Sequence, residues 1–193
     1  MKKLIFATHN ANKVKEVRNQ LMGTYEILGL NDIGFHEEII EDKKTIVENS
    51  IAKVRFVKER TGYDCFADDT GLEVNALNGK PGVFSKRFAG QNASSDDNIN
   101  KLLHMLKGKQ DRSAQFKTVI SLFNNGEIQT FEGICKGNIG FKRSGNFGFG
   151  YDPIFIPENK NISFGQMRLE EKNKIAHRAR AVNKLIGYLT NLY

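Results

Sequence analysis

Hydrophobic positions along the chain fall into two periods, and these lay out the elements. Residues 3–7 read as a buried strand. Thr8-His9-Asn10 follows, then a helical pattern with Val14, Val17 and Leu21 on one face. Thr45-x-x-Glu48 has the form of a capping box, so a second helix starts there, with Ile51, Val54 and Val57 inward and an end before Gly62. Residues 64–67 and 71–77 read as strands around a sharp turn at Asp68-Asp69-Thr70-Gly71. Ser94-Ser95-Asp96 caps a helix running to Leu106. Two long strands, 114–123 and 127–139, are joined by Asn125-Gly126, a hairpin signal. A loop rich in glycine and aromatic residues, Gly145 to Pro153, comes next. The last element is a helix with Ile175, Ala179, Val182, Ile186 and Leu189 as its stripe. Glu170 and Glu171 stand in its first turn, followed by Lys172, Lys174, His177, Arg178 and Arg180. Cations so near a helix start oppose the helix dipole, which points to an anionic ligand there.

Composition sharpens this picture. At 193 residues the chain fits one domain, residues 1–193, or two small lobes sharing a core. With 39% hydrophobic and 26% charged residues it has a globular balance, and three Pro leave no proline-rich linker. No apolar run is long enough to cross a bilayer, so no membrane association is expected. Lys2-Lys3 precedes a run too short for a signal-peptide core. Cys65 and Cys135 stand alone in apolar segments, as reduced core residues do, and a cytoplasmic protein is expected. Lys and Arg number 29 against 22 Asp and Glu, a net charge of +7. That excess suits nucleic acid, a small polyanion such as a nucleoside triphosphate, or merely a basic surface.

Four segments carry candidate chemistry. Thr8 to Lys13 joins a strand to a helix start, where free N–H groups favour an anion; Asn10 could equally be an ordinary cap. The segment lacks the Walker pattern. Asp68 and Asp69 are adjacent carboxylates at the end of an apolar strand, and such a pair needs a neighbouring cation. Oxygen donors without Cys or His suit Mg²⁺ or Mn²⁺, although a solvated turn has the same sequence. The acidic cluster Glu37, Glu38, Glu41 and Asp42 could add a ligand. In Phe147 to Pro153 the glycines permit close backbone approach and the aromatic faces could stack a base, or the loop is a core corner. Arg178 could donate to the N7 and O6 acceptors of a purine, a pattern that disfavours adenine.

Five segments together resemble the inosine triphosphatase family, pyrophosphatases of inosine and xanthosine nucleotides. They are Ala7-Thr-His-Asn-Ala-Asn-Lys-Val14, Ala67-Asp-Asp-Thr-Gly-Leu72, Pro81-Gly-Val-Phe-Ser-Lys-Arg-Phe-Ala-Gly90, Gly148-Phe-Gly-Tyr-Asp-Pro-Ile-Phe155 and Glu171-Lys-Asn-Lys-Ile-Ala-His-Arg178. They occur in the family's order and span residue 4 to about 186. The resemblance implies an α/β fold: an elongated mixed β-sheet flanked by helices, in two lobes with a central active-site cleft. It also implies hydrolysis of ITP, dITP and XTP to the monophosphate and pyrophosphate, clearing them from the nucleotide pool, by a homodimer.

Carried over to this chain, the resemblance makes Asp69 the base for water and Lys53 the neutraliser of phosphate charge. Glu41, Asp69 and Asp68 become ligands of Mg²⁺, with Mn²⁺ as the substitute. Thr8, Asn10 and Lys13, with His9, Ala11 and Asn12 in the same loop, become triphosphate contacts, and Thr70 keeps a hydroxyl where the family usually has Ser. Phe149, Gly150, Tyr151 and Asp152 form a base and sugar platform. Lys172, His177 and Arg178 close over the base, and Arg87 is a further substrate or dimer residue. His9 replaces a usual glycine and Phe84 a common Tyr. Two alternatives stand beside this reading: a pyrophosphatase of modified pyrimidine nucleotides, and a nucleic-acid-binding module. Against the second, paired acids would repel a phosphate track.

Overall fold

A computed structural model describes residues 2–21, 23 and 25–191. The elements are β1 (Lys2–Phe6), α1 (Ala11–Leu21), β2 (Tyr25–Gly29), α2 (Ile46–Thr61), β3 (Cys65–Val74), β4 (Pro81–Gly82), α3 (Ser95–Met105), β5 (Ser113–Asn124), β6 (Glu127–Ile139), β7 (Phe155–Pro157), α4 (Leu169–Lys172) and α5 (His177–Asn191). Among the described residues the strands form one mixed sheet in the order β2-β1-β3-β5-β6-β7, with β4 paired to β3. β1 runs parallel to β2 and β3, whereas β3–β4 and β6–β7 are antiparallel.

The chain divides into two compact units. The first comprises Met1–Asp69, Thr118–Gly133 and Arg178–Tyr193, the second Thr70–Lys117 and Ile134–His177. In the first unit, strand alternation sorts side chains to two faces. Phe6 and Phe66 pack with Val14, Val17 and Leu21 of α1 and with Val182, Leu185 and Leu189 of α5. Ile5, Ala7, Cys65 and Ala67 pack on the opposite side with Val54 and Val57 of α2. In the second unit, Phe116, Phe155 and Phe164 cluster, with ring centroids 4.7 to 6.3 Å apart.

Local signals set most boundaries. Thr45 accepts from the Glu48 amide while Glu48 returns a bond to the Thr45 amide, and Gly62 ends α2 at φ +72°. Ser94 and Asp97 repeat the box at α3. Asn125 and Gly126 both take positive φ, 52° and 86°, as a two-residue hairpin turn requires.

Two elements differ from expectation. Asp68-Asp69-Thr70-Gly71 is no turn: β3 runs unbroken through it, because both carboxylates find cations inside the first unit and need no water. The last helix is two helices. Between α4 and α5 the amides of Lys174 and Ile175 reach back only three residues, to Glu171 and Lys172. In a straight helix Lys172 and His177 would point about 140° apart, at ~100° per residue. The break lets both be buried, at 2% and 3% exposure.

Candidate functional site

In the first unit, the loop after β1 is tied in place before it presents anything. The Ala7 amide donates to the Phe66 carbonyl and the Leu30 amide to the Thr8 carbonyl. Asn10 caps α1, its Oδ1 accepting from the amides of Asn12 (3.0 Å) and Lys13 (3.3 Å). The Thr8 hydroxyl accepts from the Asn10 amide. The His9 ring bonds to Asn31 and to the Glu37 carbonyl, fastening the 31–37 loop. Ala11 and Asn12 are exposed in the first turn of α1.

Asp68 and Asp69, neighbours in β3, point to opposite faces of the sheet, and each meets different cations. On the α1–α5 face, Lys13 Nζ lies 2.7 Å from Asp68 Oδ1 and Arg178 Nε 2.8 Å from Asp68 Oδ2. Arg178 also pairs with Glu16 through a second guanidinium nitrogen. The anions facing the basic start of α5 are thus the protein's own. On the α2 face, Lys53 Nζ lies 3.0 Å from Asp69 Oδ1, 2.6 Å from Glu41 Oε1 and 3.0 Å from the Asp68 carbonyl. Asn49 Nδ2 donates to Asp69 Oδ2 (3.2 Å), while its Oδ1 accepts from the Lys43 amide.

These surroundings drive the two carboxyls apart. Burial alone would raise Asp68, but Lys13, Arg178 and Lys53 hold it well below the usual carboxylate range, so it stays ionised. For Asp69, burial wins: it is raised, with Glu41 adding to the rise and Lys53 and Lys13 opposing it. A more basic carboxylate is the better proton acceptor, and a pair separated in this way is suited to two different roles. Lys13 is lowered, chiefly by burial. Lys53 suffers the same desolvation, but Asp69, Glu41 and Asp68 outweigh it and keep it charged.

Hard oxygen donors suit a divalent cation, and the cation now between them is the Lys53 ammonium. Among the described residues no three His, Cys, Asp or Glu side chains converge. The trio Glu41, Asp69 and Asp68 instead supplies two carboxylates and one backbone carbonyl to a common point, the Asp68 carboxylate being held by Lys13 and Arg178.

The second unit holds the remaining candidates. Gly148 takes φ +75°, and a Cβ there would come within 2.0 Å of Asp152 Oδ2. That oxygen accepts from the Phe149 amide (2.8 Å) and from Lys172 Nζ (2.6 Å). Lys172 Nζ also lies 5.1 Å from the Phe149 ring centre and 5.4 Å from that of Phe164. The Tyr151 hydroxyl donates to the Ser85 carbonyl, and burial pushes this phenol up. His177 stacks on Phe116 at 4.5 Å. Arg87 lies over Phe84, 5.2 Å from the ring centre. Thr70 is half-buried in β3, and Gly150 sits at φ +59°.

Three contributors escaped the sequence reading. Glu16, between Val14 and Val17 of the inward stripe, is 6% exposed. An acid inside an apolar face was the signal that it has a buried cation. Asn49 and Ser50 sit beside Lys53 on the same helix, Ser50 bonding to Ser121; Ser50 stands four residues before Val54 and seven before Val57, a spacing that puts it on the inward face.

A mixed α/β protein with two carboxylates on one strand, each met by cations from the helices packed beside it, is the class so defined. The Ham1 family model matches residues 4–188, and the chain belongs to that family. A Flavobacterium psychrophilum relative called dITP/XTP pyrophosphatase is 52% identical over 188 residues, covering 97% of this chain and 99% of that protein. A Bacillus subtilis protein of the same name is 43% identical, covering 96% of each. Among solved structures, the Staphylococcus aureus Ham1 protein is similar at a TM-score of 0.88 and 36% identity, covering all of both chains. A HAM1 protein from Coxiella burnetii gives 0.89 and 36%, covering 99% of this chain and all of that one.

Proposed function

We infer that this chain is a nucleoside triphosphate pyrophosphatase. It hydrolyses non-standard purine nucleoside triphosphates, ITP, dITP and XTP, to the monophosphate and pyrophosphate, and so removes them from the nucleotide pool. The observation that carries the reading is the charged cluster around Asp68 and Asp69 of β3, in a chain matched over nearly its whole length by proteins named dITP/XTP pyrophosphatase.

In this reading Asp69 takes a proton from the attacking water. Its raised affinity for protons, with Lys53 on one oxygen and Asn49 on the other, suits a fixed base. Lys53 and Lys13 supply positive charge to the phosphate oxygens, where phosphoryl transfer gains most from neutralisation. Glu41 and Asp69, with the Asp68 carbonyl, would hold a divalent cation, Mg²⁺ or Mn²⁺, whose contribution is to neutralise phosphate charge and polarise water. The Asp68 carboxylate keeps Lys13 and Arg178 in place. Thr8, His9, Asn10, Ala11 and Asn12 form the phosphate loop with Lys13, and Thr70 adds a hydroxyl.

Phe149, Gly150, Tyr151 and Asp152 form the base and sugar platform, with Lys172, His177 and Arg178 as base contacts and Arg87 as a further substrate contact. Arg178 suits a 6-oxo acceptor and disfavours the 6-amino group of adenine. The acting form is a homodimer in the cytoplasm, without nucleic-acid or membrane partners.

Product analysis tests the reaction class. ITP should give the monophosphate and pyrophosphate; a diphosphate with orthophosphate would place the cleaved bond elsewhere and overturn the reading.

A further inference from the structure

Lys53 lies in a cage of oxygens. Its ammonium has three N–H donors, and three oxygens meet it: Glu41 Oε1 at 2.6 Å, Asp69 Oδ1 at 3.0 Å and the Asp68 carbonyl at 3.0 Å. Its side chain is 6% exposed. Every donor is therefore spent within the protein, leaving none for a phosphate. Yet the role proposed for Lys53 is to meet phosphate oxygens, and the oxygens around it are those proposed to hold the divalent cation. Both assignments cannot be satisfied at once. A divalent ion among these oxygens would sit within a few ångströms of the ammonium, where like charges repel strongly. Removing the ammonium alone is equally unfavourable, since it leaves two carboxylates side by side in a largely buried place.

One arrangement satisfies both, and it rests on the ligand reading above. We propose that Lys53 is a resident counter-ion: in the substrate-free protein its ammonium occupies the oxygens meant for the metal, and it gives them up only by moving onto a triphosphate oxygen. Metal and nucleotide then load together. The ammonium exchanges carboxylate oxygens for phosphate oxygens while the divalent ion takes its former partners, so the carboxylates never stand uncompensated. Without nucleotide the protein resists the metal.

Mn²⁺ binding to the substrate-free protein, followed by electron paramagnetic resonance, tests this without reading activity. Lys53→Met removes the charge at similar length and should bind Mn²⁺ roughly tenfold or more tightly than the wild type. Lys53→Arg keeps the charge and should bind as weakly as the wild type. Turnover should fall in Lys53→Met as metal affinity rises, a pair of opposite changes that a merely structural role does not produce. If Lys53→Met binds no more tightly than the wild type, the counter-ion role is overturned. The double variant Lys53→Met with Asp69→Asn separates the two failures: loss of the gained affinity supports both readings, whereas its survival means the metal sits on other ligands and both fall.

Should Lys53→Met not fold, the wild type decides. With an ITP analogue carrying a non-hydrolysable α,β-imido bridge present, a Mg²⁺ titration should shift the Lys53 ammonium and Asp69 carboxyl carbon resonances with one midpoint. Without the analogue neither should move over the same Mg²⁺ range. A carboxyl shift with an unmoved ammonium overturns the proposal.

Discussion

At the scale of single residues, two carboxylates one position apart meet different fates. Asp68 is an anchored anion, with Lys13 and Arg178 on its two oxygens; Asp69 is raised and faces Lys53. Asp69→Asn keeps the shape of the side chain and an acceptor toward Lys53, puts a donor where Asp69 accepts from Asn49, and cannot accept the proton. It should lose most turnover, by a factor of about 10² to 10⁴, with a circular dichroism spectrum and melting profile near those of the wild type. Near wild-type turnover would remove Asp69 from the base role. The sequence showed that the pair needed cations without showing which ones. Lys13 was visible through its loop, Arg178 through the basic stretch and Glu16 as an acid within the apolar face of α1, but Asn49 acts by closing a bond to Asp69 that no local spacing encodes. Gly148 is similar: its need for glycine comes from the Asp152 carboxylate tucked beneath it.

Among elements, those with their own start and stop chemistry were legible. Thr45, Glu48 and Gly62 define α2, Ser94 and Asp97 start α3, and Asn125-Gly126 joins β5 to β6. Thr45→Ala removes the acceptor for the Glu48 amide and should cost about 1 kcal/mol, seen as a lower midpoint in urea at unchanged slope. An unchanged midpoint would mean the box contributes nothing. The errors have a single physical origin. Asp68-Asp69-Thr70-Gly71 has the composition of a turn, and Glu170 to Leu189 that of one helix; in both places buried ion pairs or ring contacts outweigh local preference. The strand stays extended to deliver one carboxylate to each face. The helix breaks so that Lys172 can reach Asp152 and His177 can lie on Phe116.

For the molecule as a whole, the mixed sheet with helices came from resemblance rather than from periodicity, which gives elements and not their order. The strand order places β3 beside β1 in the first unit, and this adjacency brings the loop of Lys13 to the carboxylates. Homodimer formation is testable by light scattering at micromolar protein, where twice the mass of one chain is expected and the mass of one chain would contradict it. The central claim is discrimination among purine triphosphates by a hydrolase. The most direct measurement is pyrophosphate release with Mg²⁺ from ITP, XTP, dITP, ATP, GTP and dUTP under one set of conditions. Strong turnover of ITP, XTP and dITP with little from ATP, GTP or dUTP is the predicted result. Equal turnover of ATP, a preference for dUTP, or no release from any of the six with either Mg²⁺ or Mn²⁺ would contradict it.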